Sequence, residues 1–117
     1  MKSIMHNKRD RTCYLCMRLH RDYSEKVTQE HHVICGWANR RISEKYGLKV
    51  YLCIYHHTVG KESVHCNEQL MQEMKREAQL AFEKAYPEQS FRKVFGKNYL
   101  KEEERQQVSQ AADGFIE

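Results

Sequence analysis

The sequence predicts a small α+β fold held together by a bound metal. Three observations carry this. Two ligand pairs, Cys13-x-x-Cys16 and Cys53-x-x-His56, stand 36 residues apart and together supply four soft or borderline donors. Two short runs, VTQEHHVIC (Val27 to Cys35) and LKVYLCI (Leu48 to Ile54), have the β-branched and aromatic content of strands. Finally, Asn67 to Tyr86 places Leu70, Met74, Ala78, Ala81, Phe82 and Ala85 at spacings of three and four, the stripe of an amphipathic helix.

The ligand pairs answer a need set by composition. A chain of 117 residues has the length of one domain, but only 40% of its residues are apolar and 31% are charged. Such a chain builds a thin core and calls for a staple. A structural zinc supplies one, because its binding free energy, on the order of 10 kcal/mol, becomes folding free energy. Each two-residue spacer lets one turn aim both donors at one ion, so Cys13, Cys16, Cys53 and His56 are expected to close a tetrahedral zinc site. Five Cys is an odd number. With no secretory signal at the start, metal ligation is favoured over disulfides, and Cys35 and Cys66 read as free thiols.

Element by element, Met1 to Arg11 reads as an irregular basic arm. Met17 to Glu25 has apolar residues too scattered to assign. The first strand, Val27 to Cys35 with the β-branched pair Val33 and Ile34, is broken by Gly36. Trp37 to Tyr46 is expected to hold one or two helical turns ended by Gly47, with Trp37 itself in the core or capping the hairpin. The second strand comes next, and His56 to His65 leads into the long helix. Asn67 caps that helix, and Glu68 suits its first turn. Pro87 stops it. Glu88 to Val94 reads as a short helix ended by Gly96. Lys101 to Glu117 is acidic and Gln-rich, a helical extension or a disordered tail. The domain plan is therefore a single domain over 1–117: a stapled module over 12–66, supporting helices over 67–100, and the tail.

Charge is uneven. The net +4 divides into +6 over residues 1–65 and −2 over 66–117, and all seven His lie in the first part. A basic, His- and Cys-rich front half suits a polyanion such as nucleic acid. No apolar run approaches the roughly 18 residues of a membrane span. One Pro and five Gly exclude collagen-like and low-complexity classes. The expectation is a soluble, cytoplasmic protein without a membrane partner.

Three His stand around the proposed zinc site: the adjacent His31 and His32, and His57 beside His56. Neighbours on a strand face opposite sides, so one of the pair can serve a second metal while the other faces a substrate. The elements CYLC (Cys13 to Cys16), EHHV (Glu30 to Val33) and YLCIYHH (Tyr51 to His57) resemble the HNH endonuclease family, with its ββα-metal, treble-clef-like fold. The resemblance spans Cys13 to about His65. It implies zinc-binding pairs flanking a nuclease motif, with His31 and His57 as ligands of a catalytic divalent metal and His32 as general base. Many family members carry an Asn about five residues before the Cys matching Cys53; Leu48 stands there instead, and Asn39 is the substitute for orienting His32. The stretch GWANRRISEKYGLKVYLC and the later FGKNYL are similar to small HNH proteins of phages and prophages, which implies the cytoplasm of a bacterial host.

The resemblance implies DNA phosphodiester hydrolysis. A neutral imidazole takes a proton from water, and a divalent ion stabilises charge on the phosphate and the leaving oxygen. Mg²⁺ or Mn²⁺ would serve, Mn²⁺ better with two imidazole ligands. Arg40, Arg41, Lys45, Lys49 and Lys61 are the candidates for phosphate contacts to DNA. With no base-reading module, targeting would fall to a partner protein or a homodimer. The competing reading is a non-catalytic zinc module, descended from such a nuclease, that binds nucleic acid or protein. A transcription-factor zinc finger fits poorly, because His32 follows His31 at once rather than after three to five residues.

Overall fold

A computed structural model describes residues 1–34, 36 and 38–100. The expectations for Cys35, Trp37 and the 101–117 tail lie outside these residues. Strands β1 (Thr28–His32) and β2 (Lys49–Cys53) form a two-stranded antiparallel sheet. Around it run helices α1 (Tyr14–His20), α2 (Asn39–Tyr46), α3 (Glu68–Ala85) and α4 (Phe91–Phe95), with a single π-helical turn over Tyr55–Val59. The result is a mixed fold of helices around one hairpin.

The register pairs His31 with Val50 and His32 with Lys49. Beyond the last pair, the Val33 N–H still donates to the Leu48 carbonyl at 3.0 Å. Val33 and Ile34, expected within the first strand, lie instead just past its end and are buried in the core. That core joins them to Leu48, Val50, Leu52, Met74, Ala78, Phe82, Phe91 and Phe95. Of the expected helical stripe, Met74, Ala78 and Phe82 form the buried face of α3 together with Gln79, while Leu70 and Ala81 are half-buried and Ala85 is exposed. Gln79 is satisfied there: its amide donates to Asn98 at 2.7 Å, and its oxygen accepts from the Tyr99 N–H at 2.6 Å. Asn67 caps α3 as expected, accepting from the Leu70 N–H at 3.1 Å.

Helix α1 is the element that scattered apolar residues concealed. Cys13 starts it: its sulfur accepts from the Cys16 N–H. Arg21, in the left-handed conformation, ends it. Helix α2 is held by Ser43, whose buried hydroxyl donates to the Ile34 carbonyl at 2.8 Å. Gly47 closes α2 at φ 74°, and a Cβ there would lie 2.5 Å from the Lys2 carbonyl, so only glycine fits.

That close approach belongs to the N-terminal arm, which covers the edge of β2 that β1 leaves open. Ile4 N–H donates to the Gly47 carbonyl at 2.9 Å, the Ser3 hydroxyl to the Lys49 carbonyl, and the Tyr51 N–H to His6 Nδ1 at 3.1 Å. An exposed edge is thereby paired, mostly through side chains. His6 is buried between the rings of Tyr14 and Tyr51, and its Nε2 meets the Thr12 hydroxyl at 3.1 Å. Because Nδ1 accepts, Nε2 carries the proton. Burial holds the His6 pKa below its ordinary 6.5, against a smaller upward pull from Asp10.

Replacing His6 by Ala leaves the Tyr51 N–H without its acceptor and should cost about 1–3 kcal/mol in urea denaturation at neutral pH. Above 6.5 the ring is neutral whether folded or unfolded. Below it, the unfolded chain takes up a proton that the folded chain resists, so stability falls until the depressed folded value is passed. The wild type should therefore lose more stability than His6→Ala between about pH 7.5 and pH 5.5. Parallel losses would remove His6 as the cause.

Candidate metal centres

The four expected zinc ligands meet in one place. Cys13 and Cys16 come from the start of α1, Cys53 from the end of β2, and His56 from the π-turn. His56 Nδ1 lies 3.5, 3.3 and 3.4 Å from the sulfurs of Cys13, Cys16 and Cys53, and the last two sulfurs are 3.8 Å apart. A tetrahedral zinc with Zn–S near 2.3 Å and Zn–N near 2.0 Å requires S···S of about 3.8 Å and S···N of about 3.5 Å. The donor set thus has the size and chemistry of a closed metal site. Burial, reinforced by the neighbouring Cys13 and Cys53 thiols, pushes the Cys16 thiol well up. Burial also works against the Cys53 thiolate, but N–H groups of His56 and Tyr55 and the adjacent thiols bring its pKa down. A metal bound here would take the Cys16 sulfur as thiolate and release the proton that burial favours on it.

Among the described residues, buried His56 Nε2 has no hydrogen-bond partner. His20 and Glu62, joined at 2.9 Å, stand beside the His56 ring, the three groups each offering an atom within 4.8 Å of the others. Gly60 lets the π-turn close, because the Tyr55 ring occupies the space a Cβ would need.

A second cluster forms on one face of the hairpin. His31, His57 and His65 each offer a ring nitrogen, all within 4.8 Å of one another. Ring centroids are 5.3 Å apart for His31 and His57, 5.5 Å for His31 and His65, and 4.9 Å for His57 and His65. His57 Nδ1 lies 2.6 Å from the Gln29 side-chain oxygen, so Nδ1 donates and Nε2 keeps its lone pair for an ion. Burial first, then His57 and His65, lower the His31 pKa to about 3; the fifth contribution comes from Lys75 of α3. Burial and His65 also lower His57. Burial, with the neighbouring rings, thus favours the neutral form of His31 and His57, the form that binds metal.

His65 and Gln29 were not among the sequence candidates. Gln29 is legible in retrospect, two residues before His31 and therefore on the same strand face. His65 follows His57 after a turn of no fixed spacing, so no motif marks it. Lys75, whose ammonium lies 5.4 Å from the Tyr99 ring centroid, was likewise unmarked on a helix expected to be purely supportive.

His32 faces away from this cluster. Its Nε2 meets Glu44 Oε2 at 2.9 Å. The expected orienting group, Asn39, is not its partner: Asn39 begins α2, whereas Glu44, one and a half turns on, carries the carboxylate that reaches the ring. Lys49 and His32 together hold the Glu44 carboxyl down to about 2. Lys49 is a second correction. It was expected to meet DNA phosphate, but its side chain is 7% exposed and its ammonium bonds Glu30 at 2.7 Å and Glu44 at 2.9 Å. The N-terminal arm and these two carboxylates occupy it. Arg40, Arg41, Lys45 and Lys61 are exposed. Cys66 is exposed, its thiol donating to the Thr58 carbonyl at 3.2 Å.

Among the described residues, no helix is long and apolar enough to cross a membrane. A scan against protein-family models and searches of curated proteins and of solved structures found no match for this chain.

Metal analysis should find one tightly held zinc per chain, and Cys53→Ser should lose it. The stability lost should be comparable to the whole 5–15 kcal/mol typical of a domain, read as collapse of the cooperative thermal transition. Unchanged zinc content and melting in Cys53→Ser would remove this residue from the site.

Proposed function

We propose that this protein is a metal-dependent endonuclease of the HNH type that hydrolyses DNA phosphodiester bonds, with structural zinc in the Cys13, Cys16, Cys53 and His56 site. The observation that carries the reading is the meeting of His31 and His57. The resemblance named these two as catalytic-metal ligands from different segments, and their rings lie 5.3 Å apart beside a site of zinc dimensions.

A divalent ion held by His31, His57 and His65 would supply Lewis acidity toward the scissile phosphate and its leaving oxygen. Gln29 sets the His57 tautomer. His32 is the general base of this reading. A carboxylate at its Nε2 places the proton there, so Nδ1 is the nitrogen that takes a proton from water. Glu44 thus does for His32 what Asn39 was expected to do. The exposed Arg40, Arg41, Lys45 and Lys61 offer sequence-independent phosphate contacts, and DNA affinity through them should fall with salt.

A second reading, the non-catalytic zinc module, has one specific observation in its favour: His32 is engaged by Glu44 on the strand face opposite His31. Plasmid nicking with and without Mn²⁺ separates the two. For the nuclease, His32→Ala should remain folded, keep its zinc and lose at least about a hundredfold in cleavage. Glu44→Gln should lose less. His31→Ala and His57→Ala should lose cleavage with partial rescue by excess Mn²⁺, which His32→Ala should lack. Nicking undiminished in His32→Ala would transfer water activation to the metal centre. No nicking by the wild type at any Mn²⁺ concentration would favour the binding module.

A further inference from the structure

The two clusters share a scaffold. His56 and His57 are consecutive residues of the same π-turn, one ring turned to the sulfurs and the other to His31 and His65. His65 is tied to the same turn from the other side. The Val64 N–H donates to the His56 carbonyl at 2.9 Å, and Val64 itself is 1% exposed, so the residue before His65 is fixed to the backbone of a sulfur-cluster ligand. The segment is braced further by the Ser63 N–H on the Gly60 carbonyl at 3.1 Å and the Asn67 N–H on the Ser63 carbonyl at 2.9 Å. His31 reaches the scaffold through the sheet: it pairs with Val50, and Thr28 of its strand pairs with Cys53. Each imidazole of the second cluster is thus one short, hydrogen-bonded link from Cys53 or His56.

Taking His31, His57 and His65 as the metal site of the nuclease reading, we propose that this site and the Cys₃His site load cooperatively through the shared π-turn. Three imidazole nitrogens with no carboxylate suit Mn²⁺, Co²⁺, Ni²⁺ or Zn²⁺ better than Mg²⁺, which prefers oxygen ligands. A metal on His56 Nδ1 fixes the orientation of the turn, and with it His57 and the anchor of His65. Ordering these ligands beforehand removes a cost that the second ion would otherwise bear. Coupling between two binding sites is reciprocal, so an ion on the three imidazoles must tighten zinc in the Cys₃His site by the same factor. The proposal rests on the metal-binding half of the nuclease reading and is independent of cleavage.

Mn²⁺ is the probe, because it is a poor match for thiolates and is visible by electron paramagnetic resonance. Full-length zinc-loaded protein is titrated with Mn²⁺, and binding is read from the loss of the free-ion signal. Zinc affinity is then measured by competition with a zinc-selective fluorescent chelator, with and without saturating Mn²⁺, in wild type and in His65→Ala. His65 is exposed, so its truncation spares the core. Wild type should bind one Mn²⁺ and hold zinc about 5-fold or more tighter in its presence. His65→Ala should bind Mn²⁺ more weakly and lose the zinc effect at the same Mn²⁺ concentration. Mn²⁺ binding that leaves zinc affinity unchanged in wild type overturns the coupling. No Mn²⁺ binding, or binding equal in His65→Ala, overturns the three-imidazole site. Coupling without nicking would leave this proposal standing while the nuclease reading fails, and nicking without coupling would do the reverse.

Discussion

Three sulfurs and one imidazole nitrogen meet across edges of 3.3–3.8 Å, and they join the start of α1, the end of β2 and the π-turn. Helix α1 has seven residues and the sheet two strands of five, each too small to be stable alone. A cation among those donors would displace the proton that burial favours on the Cys16 thiol and bind the sulfur as thiolate. It thereby fixes the start of α1 against the end of β2 and the first residues of the π-turn. His57 and the anchor of His65, next along the chain, inherit that placement.

The two faces of the hairpin are chemically separate. One carries Gln29 and His31 toward the π-turn and α3, and burial, with the neighbouring rings, favours the neutral form of His31 and His57. The other carries Glu30, His32 and Lys49 toward α2 and the arm, where two carboxylates and an ammonium satisfy one another. The first therefore gathers ring nitrogens, while on the second the charges pair with one another. This division arises from strand alternation acting on the consecutive residues Glu30, His31 and His32, with Lys49 opposite His32.

The arm shows why local reading has limits. Met1 to Arg11 has no strand pattern, yet Ser3, Ile4 and His6 complete the edge of β2. The edge groups of residues 47, 49 and 51 need partners, and a hydroxyl, an amide N–H and an imidazole serve. Nothing in the composition of the arm distinguishes this from a solvated tail. For the same reason Lys49 reads as a surface cation in sequence, while the fold gives it cover and two acidic partners.

The sequence by itself determined what short-range chemistry controls. The paired ligand spacings identified Cys13, Cys16, Cys53 and His56, because a two-residue spacer has few ways to aim two donors. Helical periodicity identified the buried face of α3, and the cap at Asn67 fixed its start. The tertiary structure alone decided what depends on contacts between distant residues. It brought His65 to His31, put Glu44 rather than Asn39 on His32, and closed the arm over β2. Those outcomes depend on connections with no fixed period, such as the turn over residues 60–67 that carries His65. Small changes in backbone angle there move a side chain from one face of the molecule to the other.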